Sequence, residues 1–125
     1  MTVAVANTKP DRLDEMMAKQ NNLIHSIWSS HDRFLETRFK GSVLYDLCSF
    51  LMSEAIELQN ETQWKWWKVY SEKSELDMPK IHDEIADLLH VILHIAIMAD
   101  MDADSLYDAY VKKNKVNLKR QTDHY

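Results

Sequence analysis

Glu54 and Glu57, three residues apart, and Glu84 and Asp87, also three apart, are the residues whose types and spacing point most directly to chemistry. If Leu44 marks the centre of a helix's apolar stripe, about 100° per residue puts Glu54 roughly 80° and Glu57 roughly 140° from it. The same construction centred on Ile81 puts Glu84 roughly 60° and Asp87 roughly 120° away, on the same side. Each pair therefore lies on the flank of a face that a helix would bury. Two such helices packed antiparallel bring all four carboxyls to one spot. They cannot all stay ionised there without a counter-charge, because like charges and burial both raise a carboxyl pKa. A divalent cation is the simplest remedy. Hard oxygen ligands suit Mg²⁺ or Mn²⁺, ions that keep waters and bridge to phosphate oxygens. For one Glu-x-x-Glu pair alone, a solvated helix face is the commoner outcome; two pairs at the core edge, one loop apart, favour a metal site.

Two further stretches carry chemistry. Five basic residues fall between Lys112 and Arg120, with Lys113 and Arg120 seven apart and hence near one helix face, Asn117 between them. Such a run is a solvated face or a phosphate contact. Trp64-Lys65-Trp66-Trp67-Lys68 offers flat aromatic faces on which any nucleobase can stack, or an aromatic plug at a subunit contact. Three other patterns point to bland roles. Asp100-x-Asp102-x-Asp104 starts like a calcium loop, but Ser105 stands where that loop needs glycine and Val111 where it needs glutamate, so a helix-capping turn is expected. His90 and His94 have the i, i+4 spacing of a zinc pair without the glutamate of the metalloprotease motif or an obvious third ligand. Cys48 sits at helical spacing among leucines and reads as a core residue.

The elements that must position these residues are helices. In 125 residues there are one glycine and two prolines, so an all-β fold has nothing to turn with. At this length, with 46% apolar and 28% charged residues, one domain with one core is expected. Residues 1–10 read as a flexible arm closed by Pro10, and 11–125 as a single domain. Asp11 caps a first helix to about Trp28, and Asp32 to Lys40 is a connection with weak helical signal. A second helix follows Gly41 and Ser42 with the stripe Leu44, Leu47, Cys48, Leu51, Ala55 and Leu58, and continues towards Tyr70. After a polar loop, Pro79 opens a third helix with the stripe Ile81, Ile85, Leu88, Leu89, Ile92 and Ile95. Asp100 to Asp104 is a tight turn, and Ser105 to about Gln121 a fourth helix. Four helices with short connections form a bundle, or helix pairs that bury faces on a partner subunit.

The net charge of −5 argues against a dedicated nucleic-acid binder. The single cysteine and the absence of a secretory pattern at Met1 to Ala4 make the cytoplasm the expected compartment. The longest apolar candidate, Ile85 to Met98, is interrupted by Asp87, His90 and His94, so no membrane span is expected.

Glu54-x-x-Glu57 followed by Glu84-x-x-Asp87 resembles the metal signature of the all-α nucleoside triphosphate pyrophosphatases, the group containing MazG-type enzymes and the dimeric dUTPases. The tryptophan and lysine segment after Glu57 resembles that of the dimeric dUTPases. Tyr110, Lys113, Asn114, Asn117, Arg120 and Gln121 resemble their Tyr-x-x-Lys-Asn-x-x-Asn-x-x-Arg-Gln helix, and Asp87-x-x-His90 their Asp-x-x-His. The resemblance covers most of residues 13–121 and implies a four-to-five-helix, bundle-like all-α NTP pyrophosphatase fold, a homo-oligomer (dimer or tetramer). It implies Mg²⁺, with Mn²⁺ able to substitute, held by Glu54, Glu57, Glu84 and Asp87, with Glu54 or Glu57 activating water. Lys113 and Arg120 would contact phosphate, Asn114 and Asn117 would position phosphate or sugar, Lys65 or Lys68 would reach phosphate, and Trp66 and His90 would meet the base.

In that family a first helix like Gln-x-x-Leu-Asn recognises uracil. Gln20 is kept here, but Ile24 stands where the asparagine would align, and Ile24 cannot hydrogen-bond a base edge. Asn21 or His25 substitutes, or the preferred base is cytosine. The expected activity is conversion of dUTP to dUMP and diphosphate in nucleotide-pool sanitation, with dCTP or other nucleoside triphosphates as the alternative. A non-catalytic helical binding or scaffold dimer is the rival from another class.

Overall fold

The computed structural model describes residues 11–29, 39–71 and 76–123. They form four helices, α1 (Arg12–Ser29), α2 (Lys40–Asn60), α3 (Met78–Met98) and α4 (Ala103–Thr122), with no strand among the described residues. The all-α expectation is met. The arm at 1–10 and most of the Asp32 to Lys40 connection lie outside the described residues. No helix is long and apolar enough to cross a membrane.

The helix boundaries follow from local chemistry. Asp11 begins α1 as expected, its Oδ1 accepting from the Leu13 N–H at 3.3 Å. Asp77 accepts from the Lys80 N–H at 3.2 Å at the start of α3, with proline in the first turn. Two boundaries of α2 differ from expectation. It begins at Lys40, so Gly41 lies inside its first turn and does not precede it. It ends at Asn60 instead of running to Tyr70. There the Thr62 hydroxyl donates to the Gln59 carbonyl at 2.6 Å. Beyond it Trp64, Trp66 and Trp67 pack edge-on, with centroids 5.7 and 5.9 Å apart, and the Lys65 N–H donates to the Tyr70 hydroxyl. Aromatic and β-branched residues are modest helix formers, and here their mutual packing holds a non-helical loop.

The turn between α3 and α4 uses no glycine. The Met101 N–H donates to the Ala96 carbonyl at 2.9 Å and the Asp100 N–H to that of Ile97 at 3.0 Å, the paired bonds of a Schellman motif. Asp100 takes the left-handed conformation, φ 62°, that glycine usually supplies. Asp102 then caps α4: its Oδ1 accepts from the Ser105 N–H at 2.8 Å while the Ser105 hydroxyl accepts from the Asp102 N–H at 3.0 Å. The Asp100–Asp104 stretch is thus the capping turn expected of it. These bonds hold the Asp102 carboxyl below the usual carboxylate range.

Packing centres on α3, which lies against both α2 and α1, while α1 touches α4. A salt bridge from Lys40, at the start of α2, to Asp100, beyond the end of α3, shows that these two helices run antiparallel. The buried or half-buried residues of α2 include Leu44, Leu47, Leu51, Glu54 and Leu58, and those of α3 include Ile81, Glu84, Leu88, Val91, Ile95 and Met98. Both sets alternate steps of three and four, the spacing of a paired-helix seam. Glu54 and Glu84 therefore occupy seam positions and not its flank. A second cluster joins Met17 of α1, Leu93 and Ala96 of α3 and Ala103 of α4, with Leu13, Met16, Ile97, Met101 and Leu106 around it.

Several residues expected inside are outside. Cys48 and Ala55 of α2, and Ile85, Leu89 and Ile92 of α3, are exposed. The reason is that α3 is apolar on more than one side, so satisfying its contacts with α2 and α1 leaves a third stripe uncovered within one chain.

Candidate functional site

Glu54 reaches the site because α2 places it one turn past Leu51 in the seam, and Glu84 and Asp87 because α3 runs back along it. Carboxylate oxygens of Glu54, Glu84 and Asp87 all lie within 4.8 Å of one another. That span matches oxygens on opposite sides of a cation bonded at roughly 2.1 to 2.4 Å. Glu54 Oε2 and Glu84 Oε2 are buried without a hydrogen-bond partner, and an ionised oxygen in that state is costly unless a cation compensates it. Removal from water raises the Glu54 carboxyl above its usual range, and Glu57, Asp87 and Glu84 push the same way. Burial likewise raises Glu84, with Glu57, Asp87, Asp83 and Glu61 adding to it. Hard oxygen donors, crowded and short of a counter-charge, fit a divalent ion. Glu57 is exposed and outside the three-oxygen set, yet near enough to act on both. Glu61, half-buried one heptad beyond Glu54, was not among the expected acids, although the same seam spacing signals it.

Beside these acids opens a cavity of about 350 Å³ between three helices. Its walls are Gln20, Leu23 and Ile27 from α1, Phe50 and Glu54 from α2, and Asp87, His90, Val91 and His94 from α3. A pyrimidine ring fits this volume, and a mostly apolar lining with a few polar groups is what a small-molecule site requires. Gln20 is 5% exposed, held in the wall by its own helix. His90 Nδ1 lies 2.8 Å from the Ala86 carbonyl, which can only accept, so Nδ1 donates to it. Gln20 and His90 both line this cavity.

The other expected substrate residues are not brought to this cavity. Asn21 is exposed and absent from its walls, as is His25. Ile24 is 5% exposed and serves packing. Trp66, 87% exposed, belongs to the aromatic loop with Lys65, whose ammonium sits 5.4 Å from the Trp64 ring, and Lys68. Lys113, Asn114, Asn117 and Arg120 are exposed in the C-terminal half of α4 and are not among the residues lining the cavity. Sequence reasoning missed Phe50, which lies outside the apolar stripe of α2, and passed over His94 as half of an incomplete zinc pair.

The family model described as dUTPase matches residues 12–103 and 91–125. The dCTP pyrophosphatase of Enterobacteria phage T4 is 30% identical over 78 residues, 55% of this chain and 46% of that protein, so the chain spans about half the length of this curated relative. No solved structure matches the chain.

Proposed function

Since the chain belongs to the dUTPase family, we propose that it is a divalent-metal-dependent pyrophosphohydrolase of nucleoside triphosphates that converts dUTP and water to dUMP and diphosphate. The observation that carries this reading is the convergence of Glu54, Glu84 and Asp87, two of which, Glu54 and Asp87, also line a cavity with room for a nucleobase. Glu54, Glu84 and Asp87 would hold the ion, and Glu57 completes the acidic set. Mg²⁺ or Mn²⁺ bound there would neutralise charge on the polyphosphate and make water a better nucleophile. A carboxylate accepts the proton as water attacks phosphorus and the α,β bridge breaks. Glu57 suits this step better than Glu54, because its carboxylate is exposed and outside the three-oxygen set. The cavity walls hold the base and exclude water from it.

We assign Lys113, Asn114, Asn117 and Arg120 to the triphosphate of a neighbouring subunit in a homo-oligomer. Supporting this are their absence from the walls of their own cavity and the apolar residues left open on α2 and α3, among them Met52 at 62% and Ile85 at 49% exposure. Lys65 or Lys68 then reaches phosphate from the aromatic loop, and Trp66 closes over the base. The cytoplasm is the compartment in which such nucleotide-pool sanitation would operate.

A second reading, dCTP as substrate, is favoured by the likeness to the phage dCTP pyrophosphatase and by Ile24, which offers the base no hydrogen bond. A kinetic panel of dUTP, dCTP, dTTP and ribonucleotides with Mg²⁺ decides. Diphosphate release highest with dUTP, abolished by EDTA and by Glu57→Gln, is the expected result. Preference for dCTP replaces the first reading with the second. No turnover of any nucleotide at micromolar enzyme overturns both and leaves a non-catalytic helical module.

A further inference from the structure

Phe50 lies one turn before Glu54 on α2 and two turns before Glu57, so steps of four and three put these three residues along one side of the helix. That side borders the seam without belonging to it. Leu47 is buried and Leu51 half-buried, whereas Phe50 is 49% exposed. Phe50 also carries the one phenyl ring among the residues that line the cavity, and Trp66 is not among them. Two further apolar residues of the lining, Leu23 and Ile27 of α1, are 42% and 47% exposed. Apolar side chains from two helices thus stand half in water around one concave space, which is the surface that a ligand with flat apolar faces removes from water.

The register of α2 gives the cavity a direction. Glu54 and Asp87 belong both to its lining and to the three-carboxylate cluster, so the ionic end lies with them. Four helical residues rise about 6 Å, close to the span of the deoxyribose that separates a base from its first phosphorus. A ring one turn from Glu54 is therefore in step with the base when that phosphorus stands at the acids. Phenylalanine has no donor or acceptor, so what it offers a base is its face and not an edge contact.

Resting on the function proposed above, we infer that Phe50 is a base-stacking residue: its ring covers one face of the pyrimidine and, with Glu54 one turn on, sets the distance between base and reacting phosphorus. The contact supplies affinity for the nucleoside part and leaves the choice between uracil and cytosine to other groups.

The test compares wild type, Phe50→Leu, which keeps an apolar side chain without a ring, and Phe50→Tyr, which keeps the ring. Calorimetric binding of α,β-imido-dUTP, α,β-imido-dCTP and diphosphate is measured with Mg²⁺, alongside Tm and the kcat and KM for dUTP and dCTP. Loss of one stacking contact predicts roughly tenfold weaker binding of both imido-nucleotides by Phe50→Leu, to the same degree because every base has a stacking face. Diphosphate affinity should hold within about twofold, the loss should fall on KM and not on kcat, and Phe50→Tyr should stay within about threefold of wild type. Because Phe50 is half-exposed, the Tm of Phe50→Leu should stay within about 3 °C of wild type. Unchanged nucleotide binding, equal weakening of nucleotide and diphosphate, a loss confined to one base, or Phe50→Tyr as weak as Phe50→Leu overturns the assignment. The pyrophosphohydrolase reading fails separately, by absence of turnover in wild type, and the binding arm still decides the role of Phe50.

Discussion

Glu54 and Glu84 are stabilised as acids and destabilised as anions, and the sign of that effect is testable. Their raised carboxyls mean that the folded chain holds protons the unfolded chain would release. Metal-free stability should therefore fall as pH rises from the ordinary carboxylate range towards neutrality. Asp102 acts oppositely, because its lowered carboxyl withdraws stability only as pH falls through the acid range. His94, whose pKa burial lowers, also withdraws stability as pH falls through the histidine range, so the glutamate effect is read in a His94→Phe background. Melting curves of that EDTA-treated variant should give a higher Tm near about pH 5 than near about pH 7, with Mg²⁺ or Mn²⁺ raising the value most at the higher pH. Asp87→Asn should raise the metal-free Tm and abolish the metal response. A flat profile with no metal shift would show that the acids act as separate surface charges. At this scale the sequence was informative about type and less about place. Spacing marked all four acids, but taking Leu44 and Ile81 as stripe centres put Glu54 and Glu84 on a flank, because the construction used an isolated helix. The narrower seam emerges only when α2 and α3 are paired.

Among the elements, α3 carries the largest share of packing, touching α1 and α2 while its end feeds the turn into α4. Leu93, 4% exposed, sits where α1, α3 and α4 meet. Leu93→Ala should cost about 3 kcal/mol, read as a lower denaturant midpoint with unchanged slope. A cost below about 1 kcal/mol would mean that this junction is loosely packed. The starts of α1, α3 and α4 were legible because local residues mark them, Asp11, Pro79 and the Asp100–Asp104 capping turn, whereas the start of α2 at Lys40, which has no side-chain cap, was not. Nor was the end of α2: Glu61 and Thr62 close it on the Leu58 and Gln59 carbonyls, and in the loop beyond it Trp67 packs on Trp64 and Trp66, contacts that no helical propensity encodes.

For the whole molecule, the exposed stripe Ile85, Leu89 and Ile92 is the surface most in need of a partner. Sedimentation of the wild type should show an oligomer, and Leu89→Lys should shift it towards monomer and lower turnover without loss of helicity. Unaltered turnover in a monomeric variant would confine the site to one chain. The seam has a different consequence. Glu54 and Glu84 stand where the repeat of α2 and α3 would otherwise place leucines, so the chain forgoes two apolar layers in the middle of its main helix pair. Glu54→Leu combined with Glu84→Leu should therefore give a protein that melts higher without metal, binds none and turns over nothing. Selection for stability alone would erase these two residues; under the proposed function their place in the seam exchanges durability for reactivity.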